Sequence, residues 1–166
     1  MNKQNKKGST LLPEQTVKII ITLLVLGGLI FLLTSLYFSK VRTAKQEQAE
    51  AELKTGGNPL IKVIQNLSVG ESKPFLLKTP TDWYLFGFSH TAQKGKQPAK
   101  CGLEKCLCIC ENVWGDERQI KYCQNYGVCI NVPNLKTYID ELEIYISASK
   151  PPTLNIMNDN GVIKIN

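Results

Sequence analysis

Residues 19–38 read IIITLLVLGGLIFLLTSLYF, an apolar stretch without a single charged side chain. An α-helix rises about 1.5 Å per residue, so a helix of this length spans about 30 Å, the thickness of a bilayer's hydrocarbon core. The stretch lacks the polar face that a core helix of a small soluble domain turns to water. Tyr37 and Phe38 stand at its end, where aromatic side chains favour a membrane interface. We therefore expect one membrane-spanning helix here.

The helix is predicted to continue beyond the apolar stretch on both sides. Pro13 suits a first helical position and Glu14 suits the positive end of the helix dipole. Residues 39–54 are rich in good helix formers, and the sequence TGGNP at 55–59 ends the pattern. The expected helix runs over 13–54, with residues 39–54 either a solvated stalk or a packing surface. The packing alternative places four side chains on the domain or on a neighbouring chain: Val41, Ala44, Ala49 and Leu53.

The chain's net charge of +6 belongs mostly to this helical region. Residues 1–54 carry eight basic and four acidic side chains, a net +4, and residues 55–166 carry twelve and ten, a net +2. Basic residues that flank an apolar span are typical of a membrane anchor. No predicted helix or strand carries a basic stripe, so we expect no nucleic acid as a partner.

The N-terminal residues resemble a known class of leader. Lys6, Lys7 and Gly8 precede a short polar stretch, Glu14 and the long apolar helix. This order is similar to the class III signal peptide of type IV pilins and pilin-like proteins, archaeal ones included. The resemblance implies cleavage after Gly8, a mature chain that starts at Ser9, and a retained helix that anchors the protein or packs into a filament. Glu14 would be the sixth mature residue, whereas the family glutamate usually is the fifth.

A cleaved secretory signal is the alternative for this N-terminus. Its apolar region usually has about 7–15 residues and ends at a small-x-small site. The present stretch is longer and no clear site of that type follows it, so we expect the helix to be retained.

The remaining residues, 55–166, predict a mostly β domain with one short helix. Leu60, Val63, Ile64 and Leu67 lie on one face of a helix that starts after Asn58-Pro59. A projecting polar loop is expected over 89–105, and the sequence NDNG at 158–161 is a strong hairpin signal. The predicted strands are 72–78, 83–88, 106–111, 127–132, 141–148, 153–157 and 162–165.

Six cysteines lie close together in this domain: Cys101, Cys106, Cys108, Cys110, Cys123 and Cys129. An even number after a membrane anchor favours a disulfide framework in an oxidising compartment. Cys106, Cys108 and Cys110 recur at period two, so in a strand they face one way with parallel Cβ directions, which disfavours bonds among them. We predict that each of the three pairs with one of the other three cysteines, which leaves six possible pairings. Leu107 and Ile109 are then expected to face the core.

Metal and redox alternatives fit the cysteine spacing less well. The pattern C-x4-C-x-C-x-C matches neither the paired C-x2-C of zinc ribbons nor the spacings of ferredoxins. Thiol oxidoreductases normally place C-x-x-C at a helix N-terminus, which is also missing. We expect no metal and no other cofactor.

Groups suited to catalysis are few, and we expect no enzyme and no catalytic residue. His90 is the only histidine and is expected to be a solvated loop residue. Trp114 is either a binding contact or a partial core residue. None of the common nucleophile, zinc-protease, P-loop or dinucleotide motifs is present. Asn66 with Leu67 and Ser68 forms a possible glycosylation sequon.

The sequence therefore predicts an α+β protein with three regions: a basic cytoplasmic leader over 1–12, the helix over 13–54 with its span at 19–38, and an extracytoplasmic disulfide-stapled domain over 55–166. The expected location is the cytoplasmic membrane, with the N-terminus inside and the domain outside. The expected role is structural or surface-interacting, with membrane lipid and pilin-like self-assembly or other membrane helices as partners. A membrane-tethered thiol redox or metal protein is the alternative. The cysteine-rich part is similar to small archaeal membrane-anchored proteins, and that likeness implies no activity.

Overall fold

The structure is a computed structural model that describes residues 14–88, 97–102, 104–111, 123–137 and 141–165. The chain divides into two compact units, Met1–Val41 and Arg42–Asn166. Helix α1, Glu14–Glu50, supplies the described part of the first unit and the start of the second. The class is α+β, as predicted, with a long apolar N-terminal helix and a β-rich domain.

Helix α1 follows the predicted course, and its end has a clear physical cause. The helix passes into one π-helical turn, Ala51–Thr55, which Gly56 terminates by donating its backbone N–H to the carbonyl of Ala51 at 2.8 Å. A Cβ at residue 56 would lie 2.6 Å from that carbonyl oxygen, so only glycine permits this closure. Helix α2, Leu60–Gln65, then starts after Pro59.

The described residues of the second unit form two four-stranded sheets. The first sheet has the order β1-β7-β8-β5 and the second has the order β4-β3-β2-β6. All strand pairs are antiparallel except β5 with β8, which is parallel. The strands are β1 Ser72–Leu76, β2 Trp83–Phe88, β3 Cys106–Glu111, β4 Val128–Asn131, β5 Leu135–Thr137, β6 Glu141–Tyr145, β7 Thr153–Asp159 and β8 Val162–Ile165.

Several element boundaries differ from the predicted ones. Strands β1, β4 and β6 are shorter than expected, and β7 runs two residues further to Asp159. Strand β5 was not predicted, because three residues after a turn carry too little alternation to indicate a strand. The predicted loop over 89–105 contains a 3-10 turn, Ala99–Cys101, among its described residues.

One hydrophobic core joins both sheets with the helices. Leu154 and Ile156 of β7 enter it from the first sheet, while Leu85 and Ile109 enter it from the second. Ala49 and Leu53, at the end of the long helix, have no solvent exposure and belong to the same core. The core also holds Leu60, Val63, Ile64 and Leu67, the predicted apolar face of α2.

The alternatives for residues 39–54 are thereby resolved in part. Ala49 and Leu53 pack on the domain, as the packing alternative expected, whereas Ala44 is exposed and does not. Ala44 lies five residues before Ala49, about 140° away around the helix axis, so it is not on the face that Ala49 and Leu53 bury. The second compact unit accordingly begins at Arg42, upstream of Thr55.

Candidate functional site

The outer face of the second sheet carries a sulfur-rich cluster, which we call the cysteine face. Strand β3 is buried on both sides: Leu107 and Ile109 point into the main core, as predicted, and its three cysteines point the other way. The neighbouring strand β2 is also buried on both sides. The cysteine face consists of Cys101, Cys106, Cys108, Cys110, Cys123 and Cys129 with Tyr84, Phe86 and Phe88.

The cysteine pairing agrees with the geometric prediction. The three bonds are Cys101–Cys106, Cys108–Cys129 and Cys110–Cys123. Each therefore joins one member of the β3 triplet to a cysteine outside it, and none joins two members. Cys108 and Cys129 stand directly opposite each other in the β3–β4 ladder, while Cys123 comes from a short helical turn over 123–126.

Two of the disulfides are in sulfur–sulfur contact. The Cys108 Sγ lies 3.5 Å from the Cys101 Sγ and 3.9 Å from the Cys106 Sγ, although it is bonded to neither. The sulfurs of these three residues lie within 4.8 Å of one another, a spacing that three ligands of one metal ion also have. In the oxidised protein all three sulfurs are in disulfides, so they offer no thiolate to a metal.

Exposure divides the six cysteines into two groups. Cys129 is half-buried, whereas the other five are at most 1% exposed. The Gln97 amide nitrogen donates to the Cys106 Sγ at 3.9 Å and to the Glu104 carbonyl. Among the six cysteines, Cys129 is thus the one with appreciable exposure to solvent.

Aromatic rings continue the cysteine face across β2 to β6. Tyr84 stacks against Phe86 and contacts Tyr145, with ring centroids 5.9 and 5.1 Å apart. The Tyr145 hydroxyl donates to the Asp82 carboxylate at 2.8 Å. This hydrogen bond is the main cause that raises the pKa of Tyr145 above its ordinary value.

Polar contacts join the part of helix α1 that belongs to the second unit to strand β3 and to residues beside the second sheet. The Arg42 guanidinium donates two hydrogen bonds to the Glu111 carboxylate, at 2.8 and 3.3 Å, and lies 4.1 Å above the Tyr126 ring. Gln46 donates to the Tyr126 carbonyl, and Lys45 donates to the Thr81 carbonyl. Sequence reasoning missed these contacts. A charged residue in a helical stretch gives the same sequence pattern whether it is solvated or paired with a residue 69 positions away.

The predicted site residues divide between described and undescribed parts of the chain. Gly8, Ser9, His90 and Trp114 lie outside the described residues. Glu14 begins helix α1. Asn66 is exposed at the end of α2, with Leu67 buried and Ser68 exposed beside it.

Within the described residues, one segment, Thr16–Gln65, contains an apolar helical window long enough to cross a membrane, and that window is unburied. Large side chains along it are exposed on every side, among them Leu24 and Phe31, each 71% exposed. Searches of protein-family models, curated proteins and solved structures find no match to the chain.

Proposed function

We propose that the protein is a single-pass membrane protein whose disulfide-stapled domain stands outside the cytoplasm, with a structural or surface-interacting role. The observation that carries the proposal is the presence in one chain of an uncovered apolar helix and three disulfides. Lipid covers such a helix, since nothing else within the described chain does. Disulfides persist in oxidising compartments.

The orientation follows from these two features together. Stable disulfides require the domain outside, and the basic residues before the span then remain in the cytoplasm. Four lysines precede the apolar stretch and three basic residues closely follow it, so the positive-inside bias is slight and the proposed orientation rests on the disulfides.

A structural role is supported by the state of the cysteines. Every described cysteine is bonded, and five of the six are sealed from solvent. Buried disulfides of this kind stabilise small domains outside the cell. A rigid head on a membrane helix suits a surface component that contacts other proteins or assembles with copies of itself.

The pilin-like form of the proposal adds a processing step and assembly through the helix. A leader peptidase would cut after Gly8, and the apolar helix would anchor the subunit or pack into a filament. Its support is the resemblance of the N-terminus to class III signal peptides, together with one long helix followed by a β-rich domain.

The first experiment tests location and orientation in intact cells. We expect the full chain in a membrane fraction that resists carbonate extraction, and we expect protease added to intact cells or spheroplasts to remove the domain. Without reductant, all six cysteines should resist maleimide even after the protein is unfolded. A soluble chain, or a domain protected until cells are lysed, would contradict the proposal.

The N-terminal residue of the mature protein tests the pilin-like form. A start at Ser9 supports it, and a Gly8→Val variant should then retain the leader and migrate as a larger species. An intact Met1, or a start beyond residue 38, would remove the pilin-like form; the intact Met1 would leave the membrane anchor standing.

A second candidate, a membrane-tethered redox or metal protein, is favoured by the 4.8 Å cluster of three cysteine sulfurs. Metal analysis of the protein purified without reductant or chelator separates the two. Stoichiometric zinc or iron supports the second candidate, and its absence together with six protected cysteines supports the first.

A further inference from the structure

The contact between two disulfides has a chemical consequence. Cys108 is bonded to Cys129, yet its sulfur lies 3.5 Å from the Cys101 sulfur of the neighbouring bond. Thiol–disulfide exchange requires a thiolate next to a disulfide sulfur, and no movement of the backbone is needed here to bring them together. A Cys108 thiolate, once formed, would therefore already touch its target.

The solvent exposure of the cysteines determines which disulfide an external thiolate can attack first. An external thiolate can reach only the half-buried Cys129, since Cys101, Cys106 and Cys108 are at most 1% exposed. Attack on the Cys129 Sγ makes Cys108 the leaving group. The first bond to open is thus the one whose inner sulfur contacts the second bond.

We propose that the cysteine face is a two-disulfide exchange relay that accepts electrons from an external dithiol. In the first step, a thiolate of the dithiol bonds to the Cys129 Sγ, the Cys108–Cys129 bond breaks, and its electron pair remains on the Cys108 Sγ. In the second step, the Cys108 thiolate bonds to the Cys101 Sγ and the Cys101–Cys106 bond breaks. The electron pair then remains on the Cys106 Sγ, which takes a proton from water.

The external dithiol completes the cycle. Its second thiolate attacks the mixed disulfide on Cys129, so the dithiol leaves as its own disulfide and Cys129 becomes a thiol. The protein has gained two electrons and two protons. It now holds a Cys101–Cys108 bond, thiols at Cys106 and Cys129, and the untouched Cys110–Cys123 bond.

Gln97 favours Cys106 over Cys101 as the sulfur that leaves in the second step. Its amide N–H points to the Cys106 Sγ, and a hydrogen-bond donor favours the charged form of a leaving thiolate. The Cys101 Sγ carries no such donor among the described residues and is also nearer to Cys108, at 3.5 Å against 3.9 Å. Both features favour attack on Cys101 with departure of Cys106. Gln97 is a positioning residue in this scheme.

The relay goes beyond a structural role, because it makes the head a substrate for thiol exchange. It does not depend on the orientation in the membrane or on leader cleavage, so the experiments on those points can fail while the relay stands.

A timed reduction of the full chain in detergent tests the relay. The purified protein receives a short pulse of dithiothreitol under native conditions, is quenched with acid, and is alkylated with N-ethylmaleimide after unfolding. Trypsin cuts after Lys100, Lys105 and Arg118. Fragmentation of the 106–118 peptide then shows whether Cys106 or Cys108 carries the label.

The expected first product has labels on Cys106 and Cys129 and a bond between Cys101 and Cys108. Labels on Cys108 and Cys129 with Cys101–Cys106 intact would overturn the relay. So would early labelling of Cys101 with Cys106, because that requires direct attack on the buried bond.

Single variants provide the matched comparison. In Cys129→Ser, Cys108 has lost its bonding partner and can attack the Cys101–Cys106 bond, so we expect most molecules to hold Cys101–Cys108 with Cys106 free. In Cys123→Ser the freed Cys110 has no contact with that pair within the described chain, so Cys101–Cys106 should stay intact.

Adding Gln97→Leu to Cys129→Ser should shift the population several-fold back towards Cys101–Cys106. An unchanged ratio would remove the role of Gln97, and a Cys129→Ser protein labelled at Cys108 would remove the relay. If Cys129→Ser does not fold, the timed reduction of the unmodified chain decides.

Discussion

Arg42 shows how one side chain combines three favourable interactions. Its guanidinium meets the Glu111 carboxylate through two hydrogen bonds and lies flat over the Tyr126 ring. A planar fork with a fixed charge suits both contacts, and lysine can reproduce neither geometry. The two side chains are about a third and a quarter exposed, so solvent screens the pair only in part.

We predict that Arg42→Lys lowers the free energy of unfolding of the domain by about 1 kcal/mol, because the charge remains while the paired hydrogen bonds and ring contact are lost. Urea denaturation in detergent measures the change. Lys54→Ala is the control, since the exposed Lys54–Glu50 pair at 3.9 Å should contribute under about 0.5 kcal/mol. Equal effects for the two variants would contradict the reasoning.

Asp159 provides a titrating group at the end of β7. The hydrogen bond from the Lys164 ammonium is the main cause that lowers the pKa of Asp159 below its ordinary value of 3.8. A carboxyl that is more acidic in the folded state stabilises the fold above its unfolded pKa, and this stabilisation disappears as the pH falls through the folded value.

Asp159→Asn should therefore lose less stability than the unmodified protein between pH 6 and pH 3. Urea midpoints at the two pH values give the comparison. Glu71, whose pKa is lowered mainly by its hydrogen bond with Lys73, remains in both proteins and contributes to the residual acid dependence. An identical decline in both proteins would show that Lys164 does not stabilise the Asp159 carboxylate.

At the level of elements, the β7–β8 hairpin depends on its two turn residues. Asn160 and Gly161 both have positive φ, 53° and 85°, and Asp159 pairs with Val162 on either side of them. This is the geometry that Asn-Gly favours in a two-residue hairpin.

Gly161→Ala should cost about 1 kcal/mol of stability, because the added Cβ meets no neighbour but the left-handed backbone becomes strained. Gly57→Ala is the matched control: its Cβ would also meet nothing, and its φ is not positive. Thermal unfolding of both variants measures the difference, and a Gly57→Ala protein that is equally destabilised would point away from backbone strain.

The three disulfides close loops of different length, with sequence separations of 5, 13 and 21. The entropy removed from the unfolded chain grows with loop length, so each bond taken alone should contribute about 2, 3 and 3.3 kcal/mol in that order. Paired Cys→Ala variants, one per bond, should lose stability in the same order: Cys101–Cys106 least, then Cys110–Cys123, then Cys108–Cys129. Urea midpoints provide the ranking, and a reversed order would contradict the loop-entropy explanation.

The sequence predicted those features of the fold for which a local residue pattern has one favoured structure. Twenty apolar residues indicated the long helix, the period-two spacing of the cysteines disfavoured bonds within their strand, and Asn-Gly located the hairpin. The residual uncertainty among six pairings was spatial, because which outer cysteine approaches which strand position depends on the course of the chain through 111–123. The Arg42–Glu111 pair was unpredictable for the same reason, since its partners are 69 positions apart and meet only in the folded domain.

For the whole molecule, a charge in the middle of the apolar helix tests the proposed anchor. Leu29→Arg should raise the free energy of membrane insertion by about 3 kcal/mol and lower the carbonate-resistant fraction. Val69→Arg adds the same charge at a position of the domain that is 66% exposed, and should insert normally. If both variants insert equally well, the helix is not the anchor.

Strand β1 finds its partner far along the chain, where Lys73 lies opposite Ile156. In contrast, β2, β3 and β4 are complete by Asn131. If the domain emerges from a translocation channel with its amino end first, β2, β3 and β4 can pair early. Strand β1 would then remain unpaired until β7 has emerged. During that interval Phe75 lacks its cover and the strand has an open edge. Pro74 has no backbone N–H to donate at that edge, so the unpaired strand would be a poorer template for aggregation during such export.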